Sequence, residues 1–299
     1  MSRHSHAADD DFKVGTRQQT AWGTHMATAF FFGEAGAGLF LVAQFFDFVL
    51  GMALGLLMVV VGKGGGHLVH LGKPSRGWRA FTKIGSSWVS RGLAAIVVLA
   101  VFGALHLWQS LHAVLPAPLA WLVAGIAGAA AMVIMVYQGF AMSHSSAISL
   151  WSSGLMPITS LVFALLNGVL LTIVLGYNEA FLAGHADTLR MLQAAVVVLI
   201  LFGLVTILSM LNAARYGSEG GRESVRLLLS TDFAATFVPL VIGVGMAGAA
   251  VLTAFAPKGL PTMIAVLAAE LTGYYAFRIL VFKAGTYDPV MKFGRSFTH

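Results

Sequence analysis

Residues 189–213 read LRMLQAAVVVLILFGLVTILSMLNA, and Arg190 is the one charged residue in this block of 25. As an α-helix the block would be about 37 Å long, which exceeds the thickness of a bilayer hydrocarbon core, about 30 Å. The stretch therefore predicts a membrane-spanning helix, and the same pattern recurs along the chain.

Seven further apolar blocks of similar length predict an all-α fold, a polytopic membrane bundle of about eight transmembrane helices. A tight turn over 47–51 separates the first two spans, and the glycines at 62 and 64–66 predict a broken or closely packed end of the second. We divide the chain into an N-terminal tail over 1–22, a membrane domain over 23–283 and a C-terminal tail over 284–299. The predicted spans are 24–47, 49–70, 88–112, 119–142, 155–177, 189–213, 231–255 and 260–282.

The composition is typical of a membrane protein and excludes several kinds of site. Hydrophobic residues make up 58% and charged residues 10% of the 299 positions, whereas soluble domains carry roughly 25% charged residues. The mean hydropathy is +0.84. The chain has no cysteine, which excludes disulfides, thiolate metal sites and an intrinsic iron–sulfur cluster. We attribute the net charge of +6 to membrane orientation and expect no nucleic acid partner.

Lysine and arginine are strongly partitioned between the two ends of the predicted spans. Arg190 and Lys258 lie at one end, and the other sixteen of the 18 basic residues lie at the opposite end. Because cytoplasmic loops carry the excess of positive charge, we predict a multi-pass protein of the bacterial inner membrane with both termini in the cytoplasm. Alternatively, some of these charges dock an acidic partner. The sixteen are Arg3, Lys13, Arg17, Lys63, Lys73, Arg76, Arg79, Lys83, Arg91, Arg215, Arg222, Arg226, Arg278, Lys283, Lys292 and Arg295.

The loop after the second span is the most informative segment. Residues 67–81 read HLVHLGKPSRGWRAF, and residues 86–92 read SSWVSRG. Pro74 is expected to end the preceding helix, and Trp78 suits the level of the lipid headgroups. Ordinary anchoring of the cytoplasmic side explains any single cation of this loop, but it does not explain the whole string.

This string resembles the membrane-anchor subunits of dimethyl sulfoxide reductase-type molybdenum enzymes and, more distantly, the polysulfide reductase membrane subunits. In that family, His-Leu-Gly-(Lys/Arg)-Pro-x-Arg-x-Trp is followed after a short interval by Ser-Trp-x-Ser-Arg, and both halves are present here. Weaker similarities extend through most of the chain. They are GEAGAG at 33–38, YQG at 137–139, the segment 151–163 and ELTGYY at 270–275.

The resemblance implies a division of labour among subunits. Such anchors hold a ferredoxin-like iron–sulfur subunit, which connects a molybdopterin catalytic subunit to the membrane, and they bind ubiquinone or menaquinone near the docking face. The resemblance therefore implies a quinone-reactive anchor in an electron-transport complex, for example of anaerobic respiration. Its iron–sulfur clusters and molybdopterin are expected in the partner subunits, which agrees with the absence of cysteine.

A quinone site needs hydrogen-bond donors, a titratable group and an apolar slot. His25 and His70 lie at the basic ends of the first two spans, and Tyr137 lies toward the same end of the fourth. They converge if the first four helices form one quinone-side bundle. The resemblance implies that His25 and Tyr137 contact quinone and that His70 takes part in quinol chemistry. The structural alternative is that the histidines end helices and the tyrosine belongs to an aromatic belt.

One departure from the family concerns the residue after Arg91. Many dimethyl sulfoxide reductase anchors have a glutamate there, linked to quinol chemistry, whereas this chain has Gly92. Glu34 is the candidate substitute, and Trp88 is the remaining candidate for quinone contact. Four basic residues are the candidates for docking the iron–sulfur partner, namely Lys73, Arg76, Arg79 and Arg91.

Glu34 and Glu270 are costly inside a bilayer and should face the bundle interior. We expect Glu270 to pair with Arg278, two helical turns on, either as a structural pair or as part of a proton path. We expect no haem b, because His25, His70, His106 and His144 form no pair as well suited to bis-histidine ligation as the pairs of cytochrome b subunits.

The resemblance implies that members of the family with a cytoplasmic docking face commonly oxidise a substrate and pass electrons to quinone, so we expect quinone reduction here rather than quinol oxidation. Two other functions remain open. One is a purely structural anchor without a quinone site. The other is a secondary transporter that uses Glu34 and Glu270 as coupling groups, although the two halves of the chain show no convincing repeat.

Overall fold

The computed structural model describes residues 15–70 and 74–289, and the side chains of residues 68–77 and 80 lie outside that description. Within the described residues, eight helices are long and apolar enough to cross a membrane. The prediction of an all-α polytopic bundle is thus confirmed. We number the helices as spans one to eight: Thr24–Phe45, Val49–His67, Trp88–His112, Ala117–Ser143, Leu155–Leu175, Ala186–Gly217, Ala234–Phe255 and Leu260–Lys283.

The glycine-rich end of span two is closely packed and does not break the helix. The backbone becomes π-helical over Met58–Gly64 and returns to α-helix over Gly65–His70. Gly62 packs against the ring of Phe32 in span one. Two further π-helical segments interrupt spans three and seven, over Leu99–Gly103 and Phe237–Gly248. Such segments occur frequently at functional sites.

The elements outside the membrane are short. A 3₁₀-helix over Pro74–Lys83 follows span two, and a surface helix over Glu219–Leu229 joins spans six and seven. The strands Arg17–Gln18 and Thr286–Tyr287 pair in antiparallel register. This pairing brings the two ends of the membrane domain to the same face, as an even number of spans requires.

Span one packs directly against spans two, four, five and eight. One apolar core joins it to spans two, three and four, and a second core joins its first half to spans five to eight. The helices approach closely where span one crosses span five. A Cβ atom on Gly38 would lie 1.8 Å from the carbonyl oxygen of Ala164. Small residues at such crossings allow dense packing in lipid, where the hydrophobic effect does not drive helices together.

Candidate functional site

Lys63 is buried between spans one, two and four. Its side chain has no exposed surface. The Nζ atom donates a hydrogen bond to Oε1 of Gln138 and lies 4.1 Å from the ring centroid of Phe30. The stem passes Gly33, where a Cβ atom would lie 2.9 Å from Cδ of Lys63. Lys63 is among the cations counted at the basic ends of the spans, but its side chain turns into the bundle and adds no charge to the surface there.

Tyr137 lies beside Lys63 and forms the next part of the site. Its ring centroid is 5.0 Å from Nζ of Lys63, and only 2% of its surface is exposed. Its hydroxyl lies 3.3 Å from Nε2 of His67, one turn beyond Lys63 on span two. Lys63, His67, Tyr137 and Gln138 together form what we call the Lys63 cluster. It gathers an amine, an imidazole, a phenol and an amide, so it can donate hydrogen bonds and pass protons.

Gly92 has a structural reason to lack a side chain. A Cβ atom at this position would lie 2.2 Å from Cδ2 and Cε2 of Tyr137. The tyrosine ring therefore occupies the space into which a glutamate at position 92 would extend. In this chain, Gly92 leaves the room that the inward-facing Tyr137 ring occupies.

Trp88 and Arg91 stabilise the start of span three. The Trp88 ring stacks on Phe140 of span four, with centroids 4.2 Å apart and an interplanar angle of 9°. The Arg91 guanidinium lies 4.5 Å from the Trp88 ring centroid and donates hydrogen bonds to the carbonyls of Ile84 and Gly85, at 3.0 and 2.8 Å. Arg91 thus holds its own loop, whereas Arg79 is exposed on the 3₁₀-helix.

Glu34 and Arg278 form an ion pair inside the bundle. Oε2 of Glu34 accepts hydrogen bonds from Arg278 and from the hydroxyl of Tyr274. Arg278 also donates to Oγ of Ser160 at 3.0 Å. Both members of the pair are at most 1% exposed, and Glu34 lies within electrostatic range of Lys63.

The prediction that Arg278 pairs with Glu270 is wrong. Two turns of one helix separate these residues by about 12 Å, too far for contact, whereas Glu34 faces Arg278 from span one. Glu270 instead accepts a hydrogen bond from Nδ2 of Asn167 at 3.4 Å. Arg278 is also among the cations counted at the basic ends of the spans, but its side chain is 1% exposed and adds no charge to the surface there.

The remaining predicted residues lie at the edge of the site or outside the described part of the chain. His25 is exposed at the start of span one, and no hydrogen bond or ring contact between described residues joins it to the Lys63 cluster. Lys73 and the side chains of His70 and Arg76 lie outside the described residues.

Sequence reasoning missed Lys63 and His67 as site residues. Their signal is a spacing of four residues, which places them on one face of span two, at its basic end.

Comparison with known proteins identifies one family. The family model of the DMSO reductase anchor subunit (DmsC) matches residues 26–277. This range contains the whole Lys63 cluster and both buried glutamates, and it ends one residue before Arg278. A search of curated proteins finds no match.

Proposed function

The chain belongs to the DMSO reductase anchor subunit family, and from this premise we propose that it is the subunit through which its complex exchanges electrons with membrane quinone. Family membership makes it a multi-pass membrane anchor that associates with catalytic molybdoenzyme subunits. In our proposal, a ferredoxin-like iron–sulfur subunit passes electrons between a molybdopterin subunit and ubiquinone or menaquinone bound at the Lys63 cluster.

The observation that carries the proposal is the contact between Tyr137 and His67, backed by Lys63. A quinone oxygen gains one proton with each electron during reduction to quinol, so its site must both donate hydrogen bonds and replace protons. The Tyr137 hydroxyl is a donor, and His67 can return a proton to it at 3.3 Å. A histidine suits this role because its side chain titrates near neutral pH.

The other candidate quinone residues predicted from the sequence have different proposed roles. His25 and His70 are proposed quinone contacts at the same end of spans one and two. Trp88, which stacks on Phe140, is proposed to form one side of the quinone site. Glu34 is proposed to act on the quinone through its charge, because its carboxylate is engaged by Arg278 and Tyr274.

The basic face is proposed to be cytoplasmic and to dock the iron–sulfur subunit. Exposed Arg79 supports this, and Lys73, Arg76 and Arg91 complete the proposed docking set. Removing buried Lys63 and Arg278 from the sixteen leaves fourteen basic residues on this side against two on the other, so the charge asymmetry persists. A cytoplasmic catalytic partner favours transfer of electrons from substrate to quinone.

Orientation can be tested in spheroplasts. We expect a protease added from outside to leave the 70–88 loop intact and to cleave it only after the membrane is permeabilised. Cleavage from the periplasmic side in sealed spheroplasts would overturn the cytoplasmic assignment.

The quinone site can be tested by comparing Tyr137→Phe with Tyr275→Phe in the purified complex. Tyr275 is a matched control because it lines a different space, a groove of about 730 Å³ between spans one, seven and eight. Its hydroxyl bonds to Thr28 at 2.8 Å. We expect Tyr137→Phe to reduce quinone-linked turnover by about 100-fold, as general acid–base catalysis predicts, and to leave turnover with a soluble dye unchanged.

The control separates the possible results. Unchanged quinone turnover in Tyr137→Phe together with a loss in Tyr275→Phe would move the site to the groove. Unchanged turnover in both variants and in His25→Ala and His67→Ala would leave a purely structural anchor. Purification of the tagged protein without iron or molybdenum would favour a transporter.

A further inference from the structure

The charges buried around Lys63 do not balance when the lysine is protonated. Glu34 from span one lies within electrostatic range of it, and Arg278 from span eight already pairs with that carboxylate. The other groups at or near the amine are uncharged or aromatic: Gln138 and Tyr137 from span four, and Phe30 from span one. His67 follows on span two, and Tyr274 bonds Glu34 from span eight.

Two cations and one anion in a membrane interior leave one uncompensated positive charge. Burial of a charge without a counter-charge is strongly unfavourable, and buried ionic groups in membrane proteins are normally paired. A protonated Lys63 therefore calls for an anion that the described residues do not supply.

We propose that this anion is the one-electron-reduced quinone, and that Lys63 takes up a proton when the quinone accepts its first electron. The inference rests on the proposed function and specifies how the site handles charge. In the first step, quinone plus one electron from the iron–sulfur partner gives the semiquinone anion, while the Lys63 amine binds one proton from the aqueous side. A second electron, the proton held on Lys63 and one more proton from water then complete the quinol.

The geometry places the Lys63 amine beside Tyr137, the proposed hydrogen-bond donor to the quinone. The amine lies 5.0 Å from the centre of the Tyr137 ring, and the Tyr137 hydroxyl lies 3.3 Å from His67 at the basic end of span two. In the proposal, a proton reaches the amine from the basic end of span two, past His67 and Tyr137. The bond to Gln138 and the space left by Gly33 hold the lysine in place.

The expected effect on the semiquinone follows from Coulomb's law. If the quinone oxygen accepts its hydrogen bond from the Tyr137 hydroxyl, the amine is on the order of 8 Å away; at an effective dielectric constant of about 20, a unit charge at that distance shifts an equilibrium roughly thirtyfold. Removing the Lys63 charge should therefore lower the semiquinone population by that factor at a fixed potential.

The test is a redox titration of the intact complex in liposomes, monitored by electron paramagnetic resonance at several pH values. In the wild type, we expect the potential of the bound quinone/semiquinone couple to fall with pH at a slope of one proton per electron. Lys63→Met should abolish the slope and lower the semiquinone signal roughly thirtyfold. Lys63→Arg should abolish the slope and retain the signal, because arginine keeps its proton.

Lys258→Met is the matched control, because this lysine bonds to the Thr253 carbonyl at the opposite end of the bundle. We expect it to titrate as the wild type does. A wild-type slope in Lys63→Met or Lys63→Arg with quinone still bound overturns the inference and leaves the quinone site standing. If Lys63→Met fails to assemble, the pH dependence of the quinone/semiquinone potential in Lys63→Arg alone tests the inference. A wild-type complex that retains no quinone overturns the proposed function itself.

Discussion

Glu34 and Glu270 are the two carboxylates buried among the spans, and their surroundings differ completely. Glu34 accepts hydrogen bonds from Arg278 and Tyr274. Glu270 meets only the Asn167 amide at 3.4 Å, and its Oε2 atom has no hydrogen-bond partner among the described residues. From sequence, the two glutamates have the same status, because each is one acid inside an apolar block.

The difference shows that burial alone does not define the role of an acidic residue in a membrane. A carboxylate paired with an arginine and a phenol can remain ionised in the interior. A carboxylate without a cation is accommodated as a neutral acid, because the ionised form would be buried uncompensated. Glu34 therefore belongs to the charge balance around Lys63, whereas Glu270 belongs to the packing of spans five and eight.

The largest effect that tests this comparison is expected for Glu34→Gln. The substitution leaves Arg278 buried with no carboxylate, and removing one partner of a buried pair destabilises a protein by about 3–5 kcal/mol. We expect a large fall in the thermal unfolding temperature of the purified protein in detergent, with a matching loss of folded yield.

The double variant Glu34→Gln/Arg278→Met is the control for that prediction. It removes both charges, so it should recover part of the stability that the single variant loses. A double variant no more stable than Glu34→Gln would show that the pair is not the source of the loss.

A much smaller effect is expected for Glu270→Gln. If Glu270 is a neutral acid, an amide of the same shape replaces it with a change of about 1 kcal/mol or less, because Asn167 can still bond to the new side chain. The measurement is the same unfolding temperature in the same detergent. A loss as large as that of Glu34→Gln would mean that Glu270 is ionised and has a cationic partner.

The sequence predicts the spans well and the interior charges poorly, and both outcomes have a physical reason. A block of about 20 apolar residues has few alternatives to a transmembrane helix, so the ends of the helices fall within a few residues of the predictions. The count of basic residues, however, assigns every cation near a span end to the membrane surface. Lys63 and Arg278 escape that rule because each turns inward on its helix.

Contacts between side chains on different spans could not be predicted either, because they depend on which face each helix turns toward its neighbours. The pairing of Arg278 with Glu34 depends on which face of span one meets span eight, and a pattern of apolar blocks does not contain that orientation. The fit of Gly92 against Tyr137 likewise depends on how spans three and four pack. The loop motif predicted the family, and the match over residues 26–277 confirms it.

The smallest effect is expected for an ion pair outside the membrane, between Glu223 and Arg226 on the surface helix. Arg226 donates two hydrogen bonds of 2.7 Å to Glu223, and these hold the pKa of the Glu223 carboxyl below its usual value. A carboxyl with a lowered pKa in the folded state stabilises the fold above its unfolded-state pKa, and this contribution is lost as the pH falls through the folded-state pKa. Glu223→Gln should therefore lower the unfolding temperature slightly at neutral pH and not at all in acid. Because water and salt screen the exposed pair, the difference should shrink further at high salt. A change as large as that of Glu34→Gln would remove the distinction between buried and exposed charge on which the comparison of the two glutamates rests.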